Sequence, residues 1–374
     1  MPDYQCTSEL TELHEYLSAP HNSHLVREVR YIELLGTEPP WQSSACRLRA
    51  GTRYSLFARG KIFWTDYLQQ ASDQATSPTI RPNLYGDASF HLWARINGGE
   101  IKNLSSDTGT FTADKDGELE LGLYMGMWAN NKGQLIHANN YAALRGEIAV
   151  LLVVWQPLEP DTLFHIRHPS RPVPALLVLE RSRLERAYKP PTGWDYLVET
   201  GTNEIFHADE NSGSPQICVD ANNAQGIIRY PVEIPLTETL RLEWQWRLIE
   251  HPSQGPEDRA CFHDYVSIGA EFSNGRDLTW IWSKHLSPEH HFHCPVKDWS
   301  ARETHYVVRT AEDPIDRWVQ ESRVIFTDVK RSQGDPPARV VAIWLIAVST
   351  FSHARLRAAF RNISLEDSVE TCVL

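Results

Sequence analysis

The stretch Thr239-Leu-Arg-Leu-Glu-Trp-Gln-Trp-Arg-Leu-Ile249 carries the clearest structural pattern of this sequence. Alternate side chains of an extended strand share a face, so Leu242, Trp244 and Trp246 point to one side. The polar and charged residues between them point to the other side. The stretch therefore predicts a β-strand with one buried face and one exposed face.

The same alternation returns twice after this strand. Residues 263–272 follow a polar loop at 251–259, and residues 278–283 follow the turn Ser273-Asn-Gly275. The tryptophans of these strands allow two interpretations: a packed core, or an aromatic wall that faces a ligand, because indole rings offer large and rigid contact surfaces. Under the second interpretation the substrate-binding residues would be Trp244, Trp246, Tyr265, Trp280, Trp282 and His285.

Length and composition limit the classes of protein that fit. The 374 residues exceed one comfortable core, which predicts two domains. With 41% hydrophobic and 22% charged residues, the chain is typical of globular proteins. The net charge of -12 argues against a nucleic-acid partner, which would require a basic face. The longest apolar runs, 148–155 and 340–348, have strand length, so neither a membrane-spanning helix nor a membrane partner is expected.

Cysteine usage and the first residues favour a cytoplasmic protein. The six cysteines are scattered and form no Cys-x-x-Cys pair, which suits a reducing compartment. The start Met-Pro-Asp-Tyr-Gln-Cys lacks a basic region followed by an apolar segment, so no secretory signal is expected.

The first half of the chain reads as strands that follow one short helix. Leu10, Leu13 and Leu17 fall on one helical stripe, and Thr7 or Ser8 could cap this helix. Short apolar runs separated by turn residues follow, at the spacing of an antiparallel sandwich or barrel. The predicted strands are 30–35, 53–58, 61–67, 89–96, 117–123 and 146–155.

Several phrases within residues 27–156 resemble the calcium-dependent galactophilic bacterial lectins, a family of small β-sandwiches. They are Arg81-Pro-Asn-Leu-Tyr-Gly-Asp-Ala88, Leu92-Trp-Ala-Arg-Ile96, Gly117-Glu-Leu-Glu-Leu121 and Trp128-Ala-Asn-Asn-Lys-Gly133. The resemblance implies a sandwich fold and makes Asn130 and Asn131 the counterparts of calcium ligands. The other ligand positions fall near Leu123 and Met127, which have no side-chain oxygen, whereas calcium prefers about six to eight hard oxygens. Calcium is therefore only an alternative, and 130–133 reads equally well as a hairpin turn.

Prolines mark a boundary between the two halves. Residues 156–174 contain five of them, which is typical of a segment that crosses between domains. Within the same connector, 175–180 looks like a strand, and 181–187 is basic and could be helical. The predicted domains are a galactose-binding-lectin-like β-sandwich at 1–156, a proline-rich connector at 157–193 and a jelly-roll-like β-sandwich at 194–374.

The second half again alternates strands and turns, with one helix predicted at 314–326. Its segments Trp244-Gln-Trp-Arg247 and His263-Asp-Tyr265 resemble an uncharacterised family of two-layer, jelly-roll-like domains over residues 194–365. That resemblance implies a fold and no reaction. The predicted fold class is all-β, with two antiparallel β-sandwich (jelly-roll-like) domains, a short N-terminal helix and one helix in the second domain.

Catalytic signatures give little guidance. The sequence contains no Gly-x-Ser-x-Gly elbow, no phosphate loop, no dinucleotide fingerprint and no His-Glu-x-x-His motif, so no cofactor is expected. The stretch His285-Leu-Ser-Pro-Glu-His-His-Phe-His-Cys294 allows a metal interpretation, because His291 and His293 would share a face and imidazoles with a thiolate can bind zinc. Its spacing matches no standard site, and a titrating loop at the rim of a pocket is the alternative.

His263, Asp264 and Arg247 are the candidate catalytic residues. Adjacent strand residues point oppositely, so only His263 or Asp264 could face the tryptophans. An aromatic pocket raises the pKa of a carboxyl group and lowers that of an imidazole, which would suit either group to proton transfer near neutral pH. Arg247 could supply a fixed cation to a developing oxyanion. A structural ion pair, for example between Arg259 and Asp264, is the alternative.

Two functions remain open. The first is a cofactor-free enzyme of specialised metabolism that binds a sizeable apolar organic molecule in an aromatic cleft and promotes acid/base-assisted dehydration, cyclisation or cycloaddition by positioning. Its architecture is similar to the fungal hetero-Diels-Alderases of tropolone sesquiterpenoid biosynthesis, which implies a cyclase or pericyclase. The second is a carbohydrate-binding, lectin-like protein without catalysis. The substrate and the oligomeric state are left open.

Overall fold

The structure is a computed structural model of the chain. It describes all residues except 1–3, 37–39, 65–83, 88–91, 105, 125–127, 137–143, 158–161, 187, 198, 211–212, 297–298 and 368–370. The chain divides into two compact units, Met1–Tyr188 and Lys189–Leu374. The division falls inside the proline-rich segment 157–193.

The first unit is a β-sandwich of two antiparallel sheets. Its described strands are β1 (Val26–Leu35), β2 (Trp41–Leu48), β3 (Arg53–Trp64), β4 (Leu84–Asp87), β5 (Leu92–Ile96), β6 (Lys102–Asn103), β7 (Thr108–Thr112), β8 (Gly117–Leu123) and β9 (Leu144–Trp155). One sheet has the order β1-β9-β3-β4 with β7 also paired to β3, and the other has the order β2-β8-β5-β6. Leu56, Leu121 and Leu152 are among the alternating apolar residues that close the core between the sheets.

Helices form a second apolar layer on the outer side of the five-stranded sheet. The described helices of this unit are α1 (Tyr4–Leu17), α2 (Thr162–His165) and α3 (Ala175–Glu185), with a 3-10 turn at Pro20–Asn22. Helix α1 buries Leu10, Leu13 and Leu17, as the sequence stripe predicts, although the helix begins before Thr7. These leucines pack with Phe57 and other outward residues of β3 and β9.

The expected strand at 175–180 is wrong, because helix α3 occupies these residues. Leu176, Leu177 and Glu180 lie on the buried side of the helix. The carboxylate of Glu180 is fully buried and accepts hydrogen bonds from Thr108 Oγ1 (2.7 Å) and Arg183 Nε (2.9 Å). A charged residue on the buried side hides the helical stripe from a hydrophobicity pattern.

The second unit is a larger sandwich. Its strands are β10 (Asp195–Tyr196), β11 (Phe206–Asp209), β12 (Gln216–Asn222), β13 (Gln225–Pro235), β14 (Arg241–Glu250), β15 (Tyr265–Phe272), β16 (Asp277–Trp282), β17 (His291–His293), β18 (Glu303–Arg309), β19 (Val319–Val324), β20 (Arg339–Val348), β21 (Arg355–Glu366) and β22 (Thr371–Val373). A seven-stranded sheet has the order β10-β13-β20-β15-β16-β18-β17. A six-stranded sheet has the order β11-β12-β21-β14-β19, with β22 on β21.

The four tryptophans of β14 and β16 lie in the core between these two sheets. Their relative exposures are between 0% and 1%, and the rings of Trp244 and Trp246 face those of Trp280 and Trp282 with centroid distances of 6.0 and 5.2 Å. Three indole N–H groups donate inside the protein: Trp246 to Glu321 Oε1, Trp280 to Asp328 Oδ2 and Trp282 to the Thr310 carbonyl. The predicted alternation of β14 is confirmed, since its tryptophans are buried and its charged residues are more exposed.

Strand pairing in the seven-stranded sheet has one parallel step. Strands β16 and β18 run in the same direction, whereas the other assigned pairs are antiparallel. The chain between Trp282 and Glu303 therefore returns along the sheet. Residues 283–296 of this return and the loop 251–264 lie at the outer face of the sheet, where Leu286, Phe292 and Phe351 pack against Trp344 and Ile346. We call segments 251–264 and 283–296 the cover; the second contains the edge strand β17.

The helix predicted at 314–326 is wrong in position. Residues Val319–Val324 form edge strand β19, and helix α4 (Ile325–Ser332) begins only where that strand ends. The inward residue Glu321 of β19 is polar, and it accepts hydrogen bonds from Trp246 and Arg309. Because an inward residue is charged, the alternation of β19 cannot be recognised from the hydrophobicity of its residues.

The predicted fold class is confirmed: the chain is mostly strand, arranged as two β-sandwiches, with a short N-terminal helix and a helix in the second unit. None of the described helices is long and apolar enough to cross a membrane. Residues 81–83 and 88 of the lectin-like motif and the ends of two predicted strands, 65–67 and 89–91, lie outside the described residues.

Candidate metal centre

Four metal-ligating side chains meet under the cover of the second unit. They are His263, Cys294, Glu303 and His305, and one donor atom of each lies within 4.8 Å of those of the other three. All four residues are buried, with exposures of at most 2%. A buried group of two imidazoles, a thiol and a carboxyl is the chemistry of a transition-metal site.

The sheet supplies two of the four donors. Glu303 and His305 are separated by one residue on β18, so both side chains point to the outer face. Val307, two residues further along, packs in the same outer apolar cluster as Trp344. The seven-stranded sheet thus presents a carboxylate and an imidazole beneath the cover.

The cover supplies the other two donors. His263 follows the 3-10 turn Ala260–Phe262, just before β15 begins. Cys294 follows β17, and its N–H donates to the carbonyl of Glu303 (3.0 Å), which fixes it beside β18. An ion held by these residues would join cover to sheet.

Both imidazoles are oriented by hydrogen bonds at Nδ1. His263 Nδ1 lies 2.6 Å from the carbonyl oxygen of Glu257, and His305 Nδ1 lies 2.8 Å from Thr279 Oγ1. A carbonyl only accepts, so the proton of neutral His263 is on Nδ1 and its Nε2 carries a lone pair. Partners of this kind at the second ring nitrogen are typical of histidines that bind metals.

The spacing of the donor atoms fits a tetrahedral ion in part. The Cys294 Sγ to His263 Nε2 distance is 3.4 Å, and the His305 Nε2 to Glu303 Oε2 distance is also 3.4 Å. Zinc with bonds of about 2.0–2.3 Å to these atoms would have tetrahedral edges of about 3.4–3.6 Å. The full set spans up to 4.8 Å, so an ion would draw some ligands closer together.

Burial controls the protonation of the cluster. It lowers the pKa of His263 to about 3, with the neighbouring His305 adding to the effect, so His263 is neutral at neutral pH. Burial also raises the pKa of the Cys294 thiol well above its ordinary value, and Glu303 raises it further. The neutral imidazole is the form that binds metals, whereas the thiol must lose its proton when it becomes a ligand.

Several polar atoms around the cluster lack hydrogen-bond partners among the described residues. They include His305 Nε2 and both carboxylate oxygens of Asp277, a fully buried residue paired in the sheet with Glu303. Arg302 Nε lies 3.5 Å from Asp277 Oδ2 without forming a hydrogen bond. Buried polar atoms are nearly always partnered, so this concentration indicates a site for an ion or an ordered polar ligand.

The tryptophans predicted to bind substrate do not form a ligand wall, and this assignment is corrected. Trp244, Trp246, Trp280 and Trp282 are enclosed between the sheets of the second unit, as the packed-core interpretation describes. Tyr265 is different: it faces the outer side, and its hydroxyl donates to Glu303 Oε1 at 3.4 Å. His285 is exposed at the end of β16.

The three predicted catalytic residues do not meet at one place. His263 belongs to the metal cluster. Asp264 accepts hydrogen bonds from the N–H groups of Phe351 (3.0 Å) and Ser352 (2.6 Å), so it fastens the loop after β20. Arg247 lies on the outer face of the six-stranded sheet, 3.8 Å from Asp316, and the tryptophan core separates it from His263. A shared role in proton transfer is therefore not supported.

The suggested calcium ligands form a turn in the first unit. Asn130 Oδ1 accepts the N–H groups of Lys132 and Gln134, and Asn131 Nδ2 donates to Glu100. These contacts match the hairpin-turn alternative, and calcium binding here remains a prediction. The nearby ring of Trp41 is stacked on Trp128 and covered by the Arg95 guanidinium at 4.2 Å.

The sequence predicts part of this centre. His263 is one of the predicted catalytic residues, and the stretch that contains Cys294 allows zinc, but with His291 and His293 as partners. Those two histidines are exposed: the ring of His291 stacks on Tyr306, and His293 Nδ1 lies 3.4 Å from Thr304 Oγ1. Glu303 and His305 were missed, although Glu-Thr-His at the start of a strand places two ligating side chains on one face.

One family model matches the second unit of the chain. Residues 193–364 match the family model DUF3047, described as a protein of unknown function, and this match covers less than half of the chain. No curated protein matches the chain. The resemblance of the second half to an uncharacterised family therefore brings no reaction.

The solved structures similar to parts of this chain include carbohydrate-binding and lectin-like modules. The N-terminal domain of EclA, a PllA-like lectin, is 14% identical, with 35% of this chain and 98% of that one covered and a TM-score of 0.23. The xyloglucanase domain of NopAA, a type three effector from Sinorhizobium fredii solved with cellobiose, is 10% identical (43% and 92% covered, TM-score 0.28). A family 30 carbohydrate-binding module of a Clostridium thermocellum cellulase is 12% identical (49% and 95% covered, TM-score 0.28).

Proposed function

We propose that the second unit is a zinc-binding β-sandwich and that His263, Cys294, Glu303 and His305 are the ligands of the ion. The observation that carries this proposal is the convergence of four buried donor atoms from the cover and the sheet. The hydrogen bonds at the Nδ1 atoms of the two histidines support it, because they orient both rings toward the cluster.

The donor types select the ion. Calcium and magnesium prefer oxygen ligands, and this cluster offers two nitrogens and a sulfur beside one carboxyl group. Mixed nitrogen and sulfur ligands in a tetrahedral arrangement are typical of zinc. Burial and the neighbouring Glu303 raise the pKa of Asp277 well above its ordinary value, so the four ligands are the donors on which the choice of zinc rests.

The closed set of ligands indicates the role of the ion. Catalytic zinc usually keeps one position for water or substrate, whereas four protein ligands without an open position are typical of structural zinc. Binding free energy at such a site becomes folding free energy. An apolar organic substrate and a carbohydrate, the two ligands suggested by the sequence, do not enter this proposal, because the tryptophans that would contact them lie in the core.

The proposal is tested by metal content and by cobalt substitution. We expect purified protein to retain one zinc ion per chain after dialysis, measured by inductively coupled plasma mass spectrometry. Cobalt(II) exchanged into the site should give intense visible bands of tetrahedral coordination and a thiolate-to-cobalt charge-transfer band in the near ultraviolet.

Single substitutions assign the ligands. Cys294→Ser should abolish the charge-transfer band and weaken zinc binding by more than about tenfold. Cys218→Ser is the matched control, because Cys218 is half-buried on the six-stranded sheet. Protein that takes up neither metal, or a charge-transfer band that survives in Cys294→Ser and disappears in Cys218→Ser, would contradict the assignment.

A further inference from the structure

The outer face of the seven-stranded sheet is apolar without being part of the sandwich core. Ile281, Val307, Trp344 and Ile346 are buried on this side, and their cluster is separate from the tryptophan core. The opposite sheet cannot cover them, because it packs on the other face. Their burial depends on the cover and on the loop after β20, through Leu286, Phe292 and Phe351.

Buried polar contacts and one strand pairing attach the cover to the sheet. Glu257 receives hydrogen bonds from Ser283 Oγ (2.6 Å) and from the N–H of Lys284 (2.8 Å), which tie the two segments of the cover to each other. Asp264 binds the loop after β20. Strand β17 of the cover is paired with β18, and Glu289 accepts a hydrogen bond from the Tyr306 hydroxyl (2.6 Å). The four proposed ligands add a further attachment, which joins His263 of segment 251–264 and Cys294 to Glu303 and His305 on the sheet.

Without an ion this attachment contains unpartnered groups. His305 Nε2 has no hydrogen-bond partner among the described residues, although the ring is fully buried and stacks on Phe292 of the cover with a centroid distance of 5.0 Å. Burying such a group costs free energy, whereas the same group bound to zinc stabilises the closed arrangement. An ion also closes one chain loop of about thirty residues, between His263 and Cys294, which restricts the conformations of the open cover.

We infer that metal occupancy controls whether segment 251–263 of the cover stays closed over the outer face of the seven-stranded sheet. With zinc bound, this segment is fixed and the apolar side chains beneath it are shielded. With zinc removed, segment 251–263 detaches and exposes Tyr265 and Phe292 to solvent, while β17 stays paired with β18. This inference rests on the proposed zinc site and assigns it a regulatory consequence.

Hydrogen exchange followed by mass spectrometry tests the inference on the full chain. Zinc-loaded protein is compared with protein stripped by a chelator and with the stripped protein reloaded. We expect exchange in peptides from 251–263 to become at least about tenfold faster without zinc and to recover on reloading. In this experiment, which contains no denaturant, peptides from β14 and β16, which carry the tryptophan core, should exchange equally slowly with and without zinc. Binding of a hydrophobic dye should rise in parallel.

Variants separate failure of the inference from failure of the zinc site. His305→Gln, which removes one ligand, should show the fast exchange of stripped protein even when zinc is present, and Cys218→Ser should behave as wild type. If wild-type protein binds zinc and segment 251–263 exchanges equally fast with and without it, the inference is wrong and the zinc site stands. If no form binds zinc, the proposed function is wrong and the inference falls with it. Uniform acceleration across the tryptophan strands would also contradict a local opening.

Discussion

At the scale of single residues, the second unit separates side chains that look alike in the sequence. Trp244 and Trp280 are both fully buried and face each other across the core. Trp280 Nε1 donates to Asp328, whereas Trp244 Nε1 has no partner among the described residues. The contribution of each indole to stability therefore depends on its hydrogen-bond partner, which the local sequence does not show.

This difference predicts unequal costs of losing the indole N–H. Trp280→Phe should lower the free energy of unfolding by about 1 kcal/mol more than Trp244→Phe, because it removes a buried hydrogen bond to Asp328, which keeps its two hydrogen bonds from Arg323. Urea denaturation of the two variants measures the difference. Equal losses would mean that the hydrogen bond to Asp328 contributes nothing net.

A second prediction at this scale concerns the orientation of His305. Thr279→Val keeps the volume of the side chain and removes the oxygen that lies 2.8 Å from His305 Nδ1. Zinc affinity should fall about 10- to 100-fold while the circular dichroism spectrum stays the same. Thr371→Val, in the exposed strand β22, is the control and should bind zinc as wild type does. Unchanged affinity in Thr279→Val would remove Thr279 from the support of the centre.

At the scale of helices and strands, the sequence predicts segments whose buried positions are all apolar. It does not predict segments in which a charged residue occupies a buried position. Strand β14 could be predicted because its inward residues are all apolar. Strand β19 and helix α3 could not, because Glu321 and Glu180 occupy buried positions and only their tertiary partners compensate them. The same limit applies to the candidate centre. The sequence marks His263 and the stretch ending at Cys294, but only strand pairing brings Glu303 and His305 to them.

An ion pair between strands predicts a pH dependence. Asp220 on β12 accepts two hydrogen bonds from Arg355 on β21, and these lower the pKa of Asp220 from its ordinary value although partial burial opposes them. A lowered pKa in the folded state means that the pair stabilises the fold above the ordinary aspartate pKa and stops doing so as the pH falls through the folded value. Asp220→Asn should therefore cost up to about 1 kcal/mol at pH 7 and nothing in acid. Urea denaturation of both proteins across this pH range measures it; a constant difference would contradict the assignment.

At the scale of the whole molecule, each unit has its own apolar core, and the candidate centre belongs to the second unit alone. A ligand that binds one folded unit stabilises that unit by mass action. Free zinc at about one hundred times its dissociation constant should therefore add about 2.7 kcal/mol to the unfolding of residues 189–374.

This prediction is measured by hydrogen exchange in mild denaturant, which reports the two units separately in the intact chain. The tryptophan strands should gain protection from global unfolding when zinc is added, and strands β3 and β9 of the first unit should not. Equal gains in both units would show that they unfold together, and no gain in either would contradict zinc binding to the folded state.

The parallel pairing of β16 with β18 affects which related proteins can have the same metal centre. Two parallel strands cannot be joined by a tight turn, so a longer connection must return along the sheet between them. Cys294 lies in that connection. A related protein with a shorter connection between β16 and β18 could keep both strands and the tryptophans of the core. It would lose the Cys294 thiol together with one of the two segments of the cover. The length of this one connection would therefore distinguish relatives that need an ion from those that do not.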